Sequence, residues 1–152
     1  MGFGRLTWGV KQSFRGYVEM SGGTTTAGGG AARDAEGAFE FQALPEGDLA
    51  VGADDRLAGA TRFAGEVAFE AHGGMLRVVL ADPAVEATEA GVVLTCADST
   101  GRRVEVAKLE AATAEADGTL VLPAKITLDG MMLLGDHYPP GTPLDPVRLT
   151  PV

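Results

Sequence analysis

The sequence predicts a mainly β protein: two packed antiparallel sheets, sandwich-like, with one N-terminal α-helix. Three observations predict it. Beyond the first twenty residues, apolar and polar side chains alternate in short segments, as on half-buried strands. Turn-forming residues divide those segments about every ten positions, the spacing of antiparallel β architectures. Helical periodicity is confined to the opening stretch.

That stretch, Leu6-Thr7-Trp8-Gly9-Val10-Lys11-Gln12-Ser13-Phe14-Arg15-Gly16-Tyr17-Val18, reads as a helix. At its pitch Leu6, Val10, Ser13, Phe14 and Tyr17 share one face, while Trp8, Lys11, Gln12, Arg15 and Glu19 share the other. Thr7 is the expected N-cap, and Gly22-Gly23 ends the helix. Trp8, opposite Tyr17, is expected to anchor the helix to a sheet. The Gly-, Ala- and Thr-rich Ser21 to Gly37 segment reads as a flexible loop. Strands follow at Ala38 to Ala43, Arg62 to His72, Met75 to Leu80, Gly91 to Ala97, Arg102 to Leu109, Thr119 to Leu128 and Val147 to Thr150. Turns are expected at Gly73-Gly74, Asp82-Pro83, Thr100-Gly101, Asp117-Gly118 and Asp129-Gly130. Met131 to Leu134 is compatible with a brief helix or a strand. Alternation sends Phe63, Val67 and Phe69 to one face and Glu66, Glu70 and His72 to the other, although twist beside the double glycine can re-aim His72.

The chain has 152 residues and is expected to form a single domain, 1–152, burying about 70% of its unfolded surface. A net charge of −9 opposes binding to nucleic acid or to anionic membranes, both of which need a basic surface. No apolar run is long enough to span a bilayer, and no basic-then-apolar leader opens the chain. As written it is expected in the cytoplasm. Cys96, the single cysteine, excludes an internal disulfide and reads as a small buried strand residue. Nucleophile elbow, phosphate loop and His-Glu-x-x-His patterns are absent, so an enzyme is not expected.

The opening segment, with its Trp-Gly-Val-Lys-x-Ser-Phe-Arg-x-Tyr pattern, resembles the start of the HtaA domain, a haem-binding module of actinobacterial iron-uptake proteins. Phe63-Ala64-Gly65-Glu66-Val67-Ala68-Phe69-Glu70-Ala71-His72-Gly73-Gly74-Met75-Leu76 with Leu80-Ala81-Asp82-Pro83 is a second match. The tail Tyr138-Pro139-Pro140-Gly141-Thr142-Pro143-Leu144-Asp145-Pro146-Val147 is a third, in the family's order. Between Glu19 and Leu57 the chain departs from the pattern, and no pocket residue carries over there. The family is largely exported or envelope-anchored, which implies the cell envelope or secretion if a leader has been removed.

The resemblance implies that the helix carries a haem ligand. Tyr17 matches the tyrosine that ligates ferric haem b iron, and His72 the histidine that hydrogen-bonds its phenolate. Ser13 matches a serine near a propionate, and Val10 and Phe14 would touch the porphyrin. The chemistry is coherent: a phenolate is a hard donor suited to Fe(III), and a free phenol ionises only near pH ~10, so it needs the metal and a hydrogen-bonding partner to do so near neutrality. Taken alone, each residue has an ordinary reading: Tyr17 as a core residue with its hydroxyl at the rim, His72 as a solvated turn residue, Ser13 bonded back to its helix. His137-Tyr138, in a Pro-Pro-Gly loop, reads as scaffold. The implied function is haem carriage, transfer or storage, with a haem-carrier protein or membrane transporter as partner and a homodimer kept open. A haem-dependent enzyme, a weak peroxidase or haem-degrading protein, and a haem-free adhesion or assembly module are the alternatives.

Overall fold

Strand alternation, not helical pitch, governs the first residues in the computed structural model, which describes residues 2–152. In chain order the elements are β1 (Phe3–Trp8), α1 (Gln12–Met20), β2 (Thr24–Gly28), β3 (Ala32–Arg33), β4 (Phe39–Ala43), β5 (Ala50–Val51), β6 (Leu57–Ala58), β7 (Ala60–Ala64), β8 (Glu66–Ala71), β9 (Leu76–Thr88), β10 (Gly91–Ala97), β11 (Arg103–Leu109), β12 (Thr113–Ala114), β13 (Leu120–Ile126), α2 (Leu128–Leu133) and β14 (Pro143–Pro151). The expected N-terminal helix from Leu6 is therefore corrected. Thr7 lies in a strand, and Trp8 is buried on β1 with its indole N–H donating to the Asp145 carbonyl at 2.9 Å.

The expected pair of packed sheets is also corrected, because the sheet closes on itself. Eight antiparallel strands run β1-β4-β7-β9-β10-β11-β13-β14 and return to β1. Alternation is the same on the strands of a sandwich and of a barrel; only the pairing of β9 with β10 completes the ring. Inside it, Leu6 faces Phe41 on one neighbour and Leu149 on the other, and all three are buried. Strands β2, β3, β8 and β12 are additions to the ring.

The expected turn at Asp82-Pro83 is a kink within β9. Gly65 (φ 143°) separates β7 from β8, and Asp82 (φ 44°) sits opposite it. The Gly65 N–H donates to Asp82 Oδ1 at 3.0 Å, and the Asp82 N–H donates to the Gly65 carbonyl at 2.7 Å. A Cβ at Gly65 would lie 2.6 Å from the Ala31 nitrogen, so no larger side chain fits. Beyond the kink, Leu76–Ala81 leaves the ring to pair with β8, and β2 adds to β8 as an outer strand. The segment expected as a loop thus contributes β2.

Helix α1 packs on this projecting sheet through Phe14 and Val18, both buried. Its first turn is tied to β14, where Asp145 Oδ1 accepts from the Gln12 N–H at 3.0 Å and Oδ2 pairs with Arg15 Nη1 at 2.7 Å. These bonds satisfy a helix N-terminus that lacks its own side-chain cap. Met131 lies in α2, capped by Thr127.

Cys96 is buried within the core, and burial pushes its thiol up to about 12. Because the thiolate is the reactive form, the native protein is expected to resist Ellman's reagent and to react only as it unfolds in denaturant. Rapid labelling without denaturant would contradict the burial.

Candidate functional site

Three separate parts of the chain meet beside α1. Tyr17 stands on the helix one turn after both Ser13 and buried Phe14, at the edge of the buried stripe, and is itself 37% exposed. His72 follows β8 directly and opens a single 3-10 turn, His72–Gly74, that leads to β9. Its φ of 56° takes it out of strand geometry, an uncommon conformation for a residue with a side chain. Strict register would have sent the imidazole to the polar face of the strand; instead His72 Nε2 lies 2.6 Å from Tyr17 Oη. The third part is the loop after α2, which places His137 against the Tyr17 ring at a centroid distance of 5.1 Å.

The other residues singled out by sequence fall differently. The Ser13 hydroxyl is hydrogen-bonded to the Tyr138 hydroxyl at 3.1 Å, with Lys11 Nζ 5.3 Å from the Tyr138 ring centroid. Val10 and Phe14, expected from the resemblance to touch porphyrin, are both buried. Val10 is buried where the chain turns from β1 into α1 with φ 65°, and Phe14 is buried with its ring edge-on to Phe69 at 5.1 Å. Exposed apolar surface near Tyr17 in sequence and near His72 comes instead from Met20 and Met75, exposed by 91% and 92%. Sequence reasoning set His137 aside as scaffold, on the position of the His137-Tyr138 pair immediately before Pro139-Pro140-Gly141.

The arrangement is open. Clefts of about 520 Å³, lined by Leu57, Val92 and Leu122 among others, and about 500 Å³, beside Leu128 and Pro140, include neither Tyr17, His72 nor His137. Chemically, the group presents a phenol whose oxygen already has an imidazole partner and whose other side faces solvent. Such a pair can supply an anionic oxygen donor to a hard metal centre brought to it by a larger ligand. Among the described residues no cluster of three or more His, Cys, Asp or Glu side chains could hold a bare metal ion.

Fold and site together define a small closed β-barrel that carries a Tyr-His pair outside the barrel, on a projecting sheet and helix. The HtaA family model, described as Htaa, matches residues 3–150, and the chain belongs to that family. Among solved structures, the C-terminal domain of HtaA from Corynebacterium glutamicum is 25% identical, with a TM-score of 0.75 over 97% of this chain and 96% of that one. The N-terminal domain of the same protein, at 24% identity and TM-score 0.78, covers 99% of this chain and 98% of its own. The haem-binding protein HtaB from the same organism shares the fold at 17% identity, TM-score 0.68, over 97% and 91%. No curated protein sequence matches the chain.

Proposed function

We propose that this chain binds ferric haem b reversibly for carriage, transfer or storage, with the Tyr17 phenolate as the axial donor to iron and His72 as the hydrogen-bond partner of that phenolate. The observation that carries the reading is the 2.6 Å contact between Tyr17 Oη and His72 Nε2. An imidazole at that distance can hydrogen-bond the phenolic oxygen and hold it in one orientation toward iron. Membership of the HtaA family and the likeness to a haem-binding protein support haem as the cargo. Met20 and Met75 offer flexible apolar side chains to a porphyrin, and methionine adapts to flat aromatic ligands. An open site suits a cargo that must pass to another haem carrier or to a transporter.

The direct test is titration of the protein with hemin. A Soret band with tyrosinate-to-iron charge-transfer bands is expected at one haem per chain, and a spectrum indistinguishable from free hemin would overturn the reading.

His72→Ala is expected to weaken binding by about 10–100-fold without abolishing it, the usual cost of removing a ligand's outer partner. Equal hemin affinities for parent and variant would remove His72 from the site and leave Tyr17 alone.

A further inference from the structure

We infer that His137 is a positioning residue for Tyr17, acting through the packing of its ring and not through a hydrogen bond. Tyr17 is exposed, and an exposed side chain exchanges rotamers on the picosecond to nanosecond scale unless neighbours hold it. Its oxygen is held from one direction by His72. The His137 ring supplies the second restraint, lying 5.1 Å from the Tyr17 ring at an interplanar angle of 55° and 6.4 Å from the ring of Phe14. Because Phe14 is buried, His137 links the exposed phenol to the core. No hydrogen bond to the His137 side chain occurs among the described residues, so ring contact is its role.

The loop is built to keep the imidazole there. The Gly135 N–H donates to the Met132 carbonyl at 3.3 Å and the Asp136 N–H to the Met131 carbonyl at 2.9 Å, which closes α2 against the loop. Gly135 has φ 82°, and a Cβ there would meet Leu76 Cδ1 at 2.9 Å, so its lack of a side chain allows the loop to lie against the start of β9. The next residue, Tyr138, is fastened to α1 through Ser13. Consecutive residues of one loop therefore grip consecutive turns of one helix. This grip keeps Tyr17 Oη aimed at His72.

The consequence for haem rests on the proposed role of Tyr17, but the brace is testable without it. Nuclear magnetic resonance of the protein without hemin should show Tyr17 ring signals and a His72 Nε2 signal displaced from free-residue positions. In His137→Ala both sets should move toward free-residue positions, and in His137→Phe, which keeps a flat ring, they should return. Hemin affinity should fall about tenfold in His137→Ala and recover to within about threefold of the parent in His137→Phe, as for an outer partner that orients a ligand. Unchanged Tyr17 and His72 signals in His137→Ala overturn the inference. So does a His137→Phe protein that matches His137→Ala, since a nitrogen would then be required. A parent protein that takes up no hemin while its Tyr17 signals respond to His137→Ala overturns the haem reading and leaves the brace standing.

Discussion

Tyr17→Phe is expected to eliminate the tyrosinate charge-transfer bands and to lower hemin affinity by more than the roughly 10–100-fold that loss of an outer partner costs. The substitution removes one oxygen and keeps the ring, so packing against His137 survives and the unfolding midpoint should stay close to the parent's. Any loss of haem is then a loss of the donor atom. His72 would retain its place with one fewer partner, so this variant and His72→Ala separate the donor from its support. A Tyr17→Phe protein with an unaltered haem spectrum would show that iron is held elsewhere, and the exposed imidazole of His137 would be the first residue to replace.

Phe14→Ala should have the largest effect on stability near the site. Its ring is fully buried, edge-on to Phe69 at 5.1 Å, and it is one of the two buried residues of α1, with Val18. Truncating such a ring costs about 3–5 kcal/mol through lost burial and the cavity left behind. In a chain of this size that corresponds to a fall of roughly 10–15 °C in unfolding midpoint. Helix α1 has nine residues, too few to persist by propensity alone, so the helix should fray before the barrel opens. Hemin affinity should therefore drop along with stability. Denaturant unfolding beside hemin titration checks both, and a variant that loses neither would mean that α1 is held by Asp145 alone.

Parts of this architecture were legible before any coordinates. Strands β10, β11 and β13 lie where alternation and Gly-containing turns put them, because each has one buried face and ends at a sharp reversal. The opening failed for a specific reason: Leu6, Trp8 and Val10 are spaced by two, so the same residues satisfy a strand as well as part of a helical stripe. Starting the helix at Leu6 put Val10 on its apolar stripe, whereas the true helix begins at Gln12 and Val10 lies in the turn before it, with Phe14 keeping its place one turn before Tyr17. Strand β2 was invisible because Thr24–Gly28 is largely exposed and carries no apolar rhythm. Closure of the sheet depends on which strand edges meet, and alternation is silent on that. Within the site, family resemblance pointed to Tyr17 and His72 as a pair, and the two are in contact. Nothing periodic could reveal His137, since a ring packed across a loop has no register to read.

The bond between Asp145 and the start of α1 sets an order of events in time. Tyr17 lies near one end of the chain, His72 near its middle, and the strand that steadies the helix is β14, which also fills the last place in the ring between β13 and β1. On a ribosome, Tyr17 emerges long before the segment that fixes it, and contacts this distant in sequence form late in folding. A growing or half-folded chain thus holds Tyr17 without the β14 contacts that steady its helix. If Tyr17 holds iron as proposed, uptake of hemin during refolding is expected to follow completion of the barrel.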